Sequence, residues 1–200
     1  VFPEYYRGCY KLYEVWKKYR LERGKEIINA EFSLDKWEYY REFASDIVIR
    51  NMLPTDDKKA VAELIYKTDP YIYPTAFGRE RNAKIHLSRF FDIENNPFNK
   101  NNIRVAVQDN EVVGIAVVLQ AKPAERYQFE DYASIHSNLP KNYLHTAEIY
   151  FNSLYEYIED AHDTYIPCIC VKAKNRGKHI GEILLMNTIR NNSDKNIHLH

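Results

Sequence analysis

The 200 residues carry 28 Lys and Arg against 28 Asp and Glu, so no bulk field draws nucleic acid or an anionic membrane surface, and any anion site must be local. Hydrophobic residues make up 45% of a globular composition, and no run approaches the roughly 20 apolar residues that span a bilayer. This length suits one domain with a full core plus an extension.

Residues 1 to 46 read as a helical, aromatic N-terminal extension that packs on the main domain or on a partner. Leu12, Trp16 and Tyr19 recur at helical spacing and Gly24 is placed to stop that helix. IINAEF (27 to 32) reads as a short strand, and Ser33 caps a helix carrying Leu34, Trp37, Tyr40 and Phe43. A strand followed by a capped helix is half of a ribbon-helix-helix DNA reader. The second helix that motif needs does not follow, so the DNA reading is set aside. No basic-then-apolar leader with a cleavage site is seen, which points to a cytoplasmic protein; a chain that begins at Val1 rather than Met is expected to be trimmed.

From Asp46 the pattern alternates between strands and helices. IVIR (47 to 50) is a predicted strand, and residues 57 to 68 a helix with Ala60, Val61, Leu64 and Ile65 on one face, capped by Thr55 or Asp56. DPYIYPTAFG reads as a rigid aromatic loop; Tyr71, Tyr73 and Phe77 there either pack in the core or wall an acceptor pocket. Residues 79 to 92 form another predicted helix, and ENNPFNKNN after it an exposed polar loop. NIRVAVQDNEVVGIAVVLQ (102 to 120) is a hairpin turning at Gln108, Asp109 and Asn110. Residues 120 to 164 read as an insertion holding a long helix over roughly 141 to 160.

YIPCICV (165 to 171) is a nearly continuous apolar run, as in a strand covered on both faces, with Pro167 marking a bulge or an unpaired edge. Cys168 and Cys170 lie two apart on it. That spacing is too wide for an easy disulfide, and no second ligand cluster suggests a metal, so buried reduced thiols are expected. No Cys-His-acid arrangement is readable for a nucleophile. The chain ends in a short strand, NIHLH, on which His198 and His200 share a face. Without a third ligand in reach they read as strand packing rather than a metal pair, and no metal is expected.

Between the last two strands, NRGKHIGEILL presents backbone N–H groups at the start of an apolar helix. Helix N-termini leave about four amides without internal partners and carry partial positive charge, which suits a phosphate. Gly177 lets the backbone approach an anion, Arg176 and Lys178 add charge, and Gly181 lets the helix pack close to its strand. The turn is too short for a Walker A loop and lacks its Lys-Ser or Lys-Thr, and the spacing is not that of a dinucleotide fold.

VKAKNRGKHIGEILL resembles the acyl-CoA-binding signature of the GNAT N-acetyltransferases, R/Q-x-x-G-x-G/A, preceded by a strand like L-x-V and followed by an apolar helix. Arg176 stands at its first position, Gly181 at its last and Val171 on the strand valine; His179 takes the place of the middle glycine and Ala173 that of a common proline. A histidine in the helical region of backbone space supplies the same N–H. The resemblance covers residues 47 to 200 and implies an α/β (α+β) fold, a mixed, mostly antiparallel sheet flanked by helices. In that family a further helix and two strands follow, so the sequence is expected to be a fragment or to be completed by another chain or segment; separately, a homodimer is among the expected partners.

The resemblance implies acetyl transfer from acetyl-CoA to a primary amine of a small molecule or protein, by direct attack in a ternary complex. It would seat the pyrophosphate on Arg176, Gly177, Lys178, His179, Ile180 and Gly181, and the pantetheine arm along Cys170 and Val171. Glu148, Glu159, His162 and Asp163 are all available as bases and none is singled out, so no catalytic residue is named. The alternative is a degenerate acyl-CoA-binding or protein-interaction module without turnover.

Overall fold

The computed structural model describes residues 46–94, 96–120, 149, 163–192 and 197–199, all within the unit Leu34–His200. The extension over 1 to 45 and the long helix expected at 141 to 160 lie outside the described residues, residue 149 apart. Among the described residues no helix is long and apolar enough to cross a membrane.

Strand β1 (Val48–Asn51) is followed by helices α1 (Lys58–Tyr66), α2 (Ile72–Phe77) and α3 (Glu80–Phe90). Then come β2 (Ile103–Gln108), β3 (Glu111–Gln120), β4 (Thr164–Val171), α4 (Ile180–Asn191) and β5 (Ile197–Leu199). The five strands lie side by side in chain order, antiparallel from β1 through β4, and β5 runs parallel to β4. This is the mixed, mostly antiparallel sheet expected.

Two cores explain the layering. On one face Val61, Leu64 and Ile65 of α1, Tyr73 and Phe77 of α2 and Leu87 and Phe90 of α3 pack on Ile103, Val105, Ile115, Val117 and Tyr165. On the other, Ile180 and Leu184 of α4 pack on Ala106, Val113, Ala116 and Val118. Strands covered on both faces read as the unbroken apolar runs seen in β3 and β4, because neither set of alternate side chains meets water. The hairpin turns through Asp109 (φ 51) and Asn110 (φ 62), two left-handed residues of the kind a type I′ turn requires. Between β3 and β4 the register slips: Val117 faces Cys168 while Leu119 faces Tyr165, so β4 carries one extra residue there. Pro167 lies in that bulge, one of the two settings its missing N–H predicts.

Three local expectations are corrected. The cap of α1 is Asp57, whose Oδ1 accepts from the amides of Lys59 (2.9 Å) and Ala60 (3.2 Å), rather than Thr55 or Asp56. Asp56 instead accepts from the Leu53 amide and takes both Arg50 nitrogens at 2.7 Å. The aromatic stretch is helix α2, not a loop. Asp69 Oδ1 accepts from the amides of Tyr71 and Ile72 at its start, and Pro74 falls in the first turn, where a missing N–H costs no helical bond.

Nor is the middle of the polar stretch after α3 exposed, since residues 96–99 are buried and only Glu94 and Asn101 among its described residues are exposed. Phe98 is fully buried, Asn96 Nδ2 donates to the Phe90 and Ile93 carbonyls (2.9 and 2.6 Å), and Asn99 Nδ2 donates to Ile93 (2.7 Å). These asparagines satisfy the carbonyls that the end of α3 leaves open.

Candidate functional site

The junction of β4 and α4 is held by the β2–β3 hairpin as much as by its own turn. The Lys172 amide donates to the Val113 carbonyl (2.8 Å), Asn175 Nδ2 donates to Gln108 Oε1 (3.0 Å), and Lys174 pairs with Glu111 (3.1 Å). Asn175 is buried. From this tethered turn the chain passes through two left-handed residues, Gly177 (φ 76) and His179 (φ 55, ψ 17), before α4 begins at Ile180. His179 is therefore left-handed, which corrects the helical-region conformation expected above. It occupies the conformation that glycine adopts without strain and that histidine adopts more readily than most residues.

No side chain caps α4; its first internal bond runs from the Ile183 amide to the His179 carbonyl (3.0 Å). The amides of Ile180, Gly181 and Glu182 consequently have no partner within the helix. They border a cleft of about 450 Å³, lined on one side by Ile169, Cys170 and Val171 of β4 and on the other by Arg176, Gly177, His179, Ile180, Gly181 and Glu182, with Lys67 and Thr68 after α1 closing one wall. Arg176 and the helix dipole bring positive charge to the cleft, whereas Lys67 is already paired with Glu63. Glu182, 3.5 Å from His179 Nδ1, opposes them from the first turn. Arg176 Nε donates to the Val171 carbonyl (3.2 Å), so that acceptor on β4 is already engaged.

Seven of the eight residues expected to hold a cofactor thus line one cleft; Lys178 is exposed and outside the lining. The roles given to the glycines change. A Cβ on Gly177 would meet nothing within 4 Å, so its requirement is conformational. A Cβ on Gly181 would make ordinary contact with Val171 at 3.8 Å, so this glycine is not what lets α4 approach the sheet. That role falls to Gly114 of β3, where a Cβ would lie 3.1 Å from Leu184 Cδ1 and 3.3 Å from both Ile180 Cγ2 and the Cys170 carbonyl. A glycine inside the β-branched run of the hairpin was the signal for such a close approach.

The two thiols differ. Burial pushes Cys168 up to about 12, which leaves it inert, whereas Cys170 is half-buried and burial raises it against the opposing charge of Arg176 and Lys67. Of the acceptor-wall residues, Tyr73 and Phe77 are 1% and 2% exposed and stack in the core with ring centroids 6.2 Å apart; Tyr71 is 81% exposed. None of the three lines the cleft. Glu148, Glu159, His162 and His200 lie outside the described residues. Among those described, no group of three or more His, Cys, Asp or Glu is placed to hold a metal ion, and His198 pairs with Asp163.

No protein-family model and no curated sequence matches the chain. Solved structures do. The chain is similar to an N-acetyltransferase from Staphylococcus aureus Mu50, with 18% identity, a TM-score of 0.52 and coverage of 76% of this chain and 80% of that one. It is also similar to the histone acetyltransferase HPA2 and related acetyltransferase from Corynebacterium glutamicum, with 15% identity, a TM-score of 0.50 and coverage of 77% and 76%. With its strand order, its helices on both faces and its bulged fourth strand leading into an uncapped helix, the chain has the fold of the GNAT acetyltransferases.

Proposed function

We propose that the chain is a cytoplasmic N-acetyltransferase that binds acetyl-CoA in the β4–α4 cleft and acetylates a primary amine by direct attack in a ternary complex. One observation carries the reading: three amides without helical partners, delivered by two left-handed residues and flanked by Arg176, open into a cleft beside the free end of β4. That donor set fits a pyrophosphate, because it supplies convergent N–H groups and a guanidinium with no bulky side chain over Gly177. Arg176, Gly177, His179, Ile180 and Gly181 would hold the anion, with Lys178 adding charge from outside the lining. Cys170 and Val171 would flank the pantetheine arm, the Val171 amide rather than its carbonyl being the group left for it. When bound, acetyl-CoA supplies an acyl thioester. The protein's part is to align that carbonyl against β4, exclude water with the apolar side chains of Ile169 and Ile180, and leave the amine a path to attack.

Titration calorimetry with acetyl-CoA, followed by thiol release in the presence of primary amines, tests the reading. Tight binding abolished by Gly177→Val and thiol release dependent on an added amine are expected. Binding without release under any amine would leave a CoA-binding module, and no binding would refute the site.

A further inference from the structure

The acetyl-transfer reading leaves a proton unaccounted for, since an attacking ammonium must become an amine and then shed a second proton. The structure holds a side-chain pair built for that task. His198, the middle residue of β5, has its Nε2 2.8 Å from Asp163 Oδ2 just before β4. With Asp163 as a carboxylate, which only accepts hydrogen bonds, Nε2 is the donor of this bond, and in a neutral ring Nδ1 is then the nitrogen with the lone pair. Asp163 is almost wholly buried, its side chain 7% exposed, while the His198 side chain is 41% exposed. His198 makes no other hydrogen bond among the described residues. One end of the ring is thus anchored on a buried acid and the other is open, the arrangement in which a histidine acts as a base and a carboxylate stabilises the imidazolium that forms.

Its place on the sheet suits the reaction. His198 lies in register with Tyr165, and the parallel pairing of β4 with β5 covers Thr164 to Ile166, next to the bulge at Pro167. Tyr165 is four residues from Ile169, where the cleft lining begins, roughly 13 Å along the strand before the bulge shortens it. A ligand anchored at the start of α4 and extended along β4 toward the bulge carries its reactive end toward this dyad. Asp163 and the Tyr165 phenol are the titratable groups that β4 and its lead-in set beside β5.

We propose that His198 is the general base of the transfer, oriented by Asp163. The inference rests on the acetyl-transfer reading. The amine nitrogen forms its bond to the acyl carbon, the carbon–sulfur bond breaks with its electron pair leaving on the CoA thiolate, and the amine proton passes to His198 Nδ1, from which it returns to the thiolate or to solvent. The test uses the full chain with acetyl-CoA and three amines: spermidine, a lysine-containing peptide and an aminoglycoside. His198→Gln is expected to lower kcat/KM by about 100- to 10,000-fold and to remove the acidic limb of the pH profile, with acetyl-CoA affinity unchanged. Asp163→Asn should lower the rate less and shift that limb to lower pH in a protein that still melts cooperatively. Retention of rate and acidic limb in His198→Gln would overturn the assignment while the transferase reading stands, and so would a wild-type profile with no acidic limb. A wild-type chain that acetylates none of the amines would remove the transferase reading and the base together.

Discussion

Replacing Gly114 with alanine tests the contact that sets the height of α4 above the sheet. The new methyl would lie 3.1 Å from Leu184 Cδ1 and 3.3 Å from Ile180 Cγ2 and the Cys170 carbonyl oxygen. Leu184 and Ile180 are themselves buried, so neither swings outward, and the carbonyl belongs to a strand paired on β3. Overpacking of this kind costs about 1–3 kcal/mol, from which the stiffer unfolded chain of an alanine variant returns about 0.4–1 kcal/mol. The midpoints leave a net loss of about 1.3 kcal/mol, or roughly 3–5 °C in Tm for a chain of this size. Urea and thermal unfolding measure it, with Gly181→Ala as the control. There the added methyl makes only the 3.8 Å contact with Val171, and relief of glycine's entropy in a helix should leave stability equal or higher by up to about 1 kcal/mol. Gly114→Ala should also weaken acetyl-CoA binding, because the strain is shared by the Cys170 backbone and the first residue of α4. A Gly114→Ala protein as stable as the parent would show that α4 does not approach the sheet as described.

Since His179 sits at φ 55, His179→Gly should exceed His179→Ala in stability by about 1 kcal/mol and bind acetyl-CoA at least as well as the parent; equal stability would refute the left-handed assignment. Glu63 is held at about 2, below its ordinary 4.5, by hydrogen bonds from Lys67 and then Lys84. A lowered acid contributes stability above 4.5 that is lost as pH falls toward 2, so Glu63→Gln should flatten acid unfolding in that window. The effect should shrink in high salt, because Glu63 is 36% exposed. In the native protein Cys168 should resist N-ethylmaleimide, while Cys170 should react slowly and be protected by acetyl-CoA; protection of neither thiol would place the ligand elsewhere.

Strands were legible where burial wrote them directly. The hairpin was readable because β-branched runs on both sides of Asp109 and Asn110 leave few other folds, and the bulge because Pro167 has no N–H to give. Helix α2 was not, since the two prolines and three rings of DPYIYPTAFG resemble a loop until Asp69 is seen to accept from the amides of Tyr71 and Ile72. The exposed-loop reading of ENNPFNKNN failed over 96–99 for a related reason. Asparagine counts as polar in a sequence, yet here its amides close the end of α3 and carry Phe98 into the core. The cleft was visible as letters from Arg176 to Gly181, but the tethers that place it come from Gln108, Glu111, Val113 and Gly114, more than sixty residues earlier. No local pattern joins them.

That division of labour explains why a histidine is tolerated where a glycine suits the turn. The direction of the free amides is set by the axis of α4, and the axis is set by its contact on Gly114 and by the turn's bonds to the hairpin, neither of which involves the side chain at 179. A left-handed histidine costs about 1 kcal/mol of local strain but leaves the helix where it is. A change at Gly114 moves the helix start and the strand that faces the cleft in one step, because Ile180 and the Cys170 carbonyl meet the same point. On the acetyl-transfer reading, the letter that departs from the signature therefore matters less to the proposed anion site than a glycine outside the signature altogether.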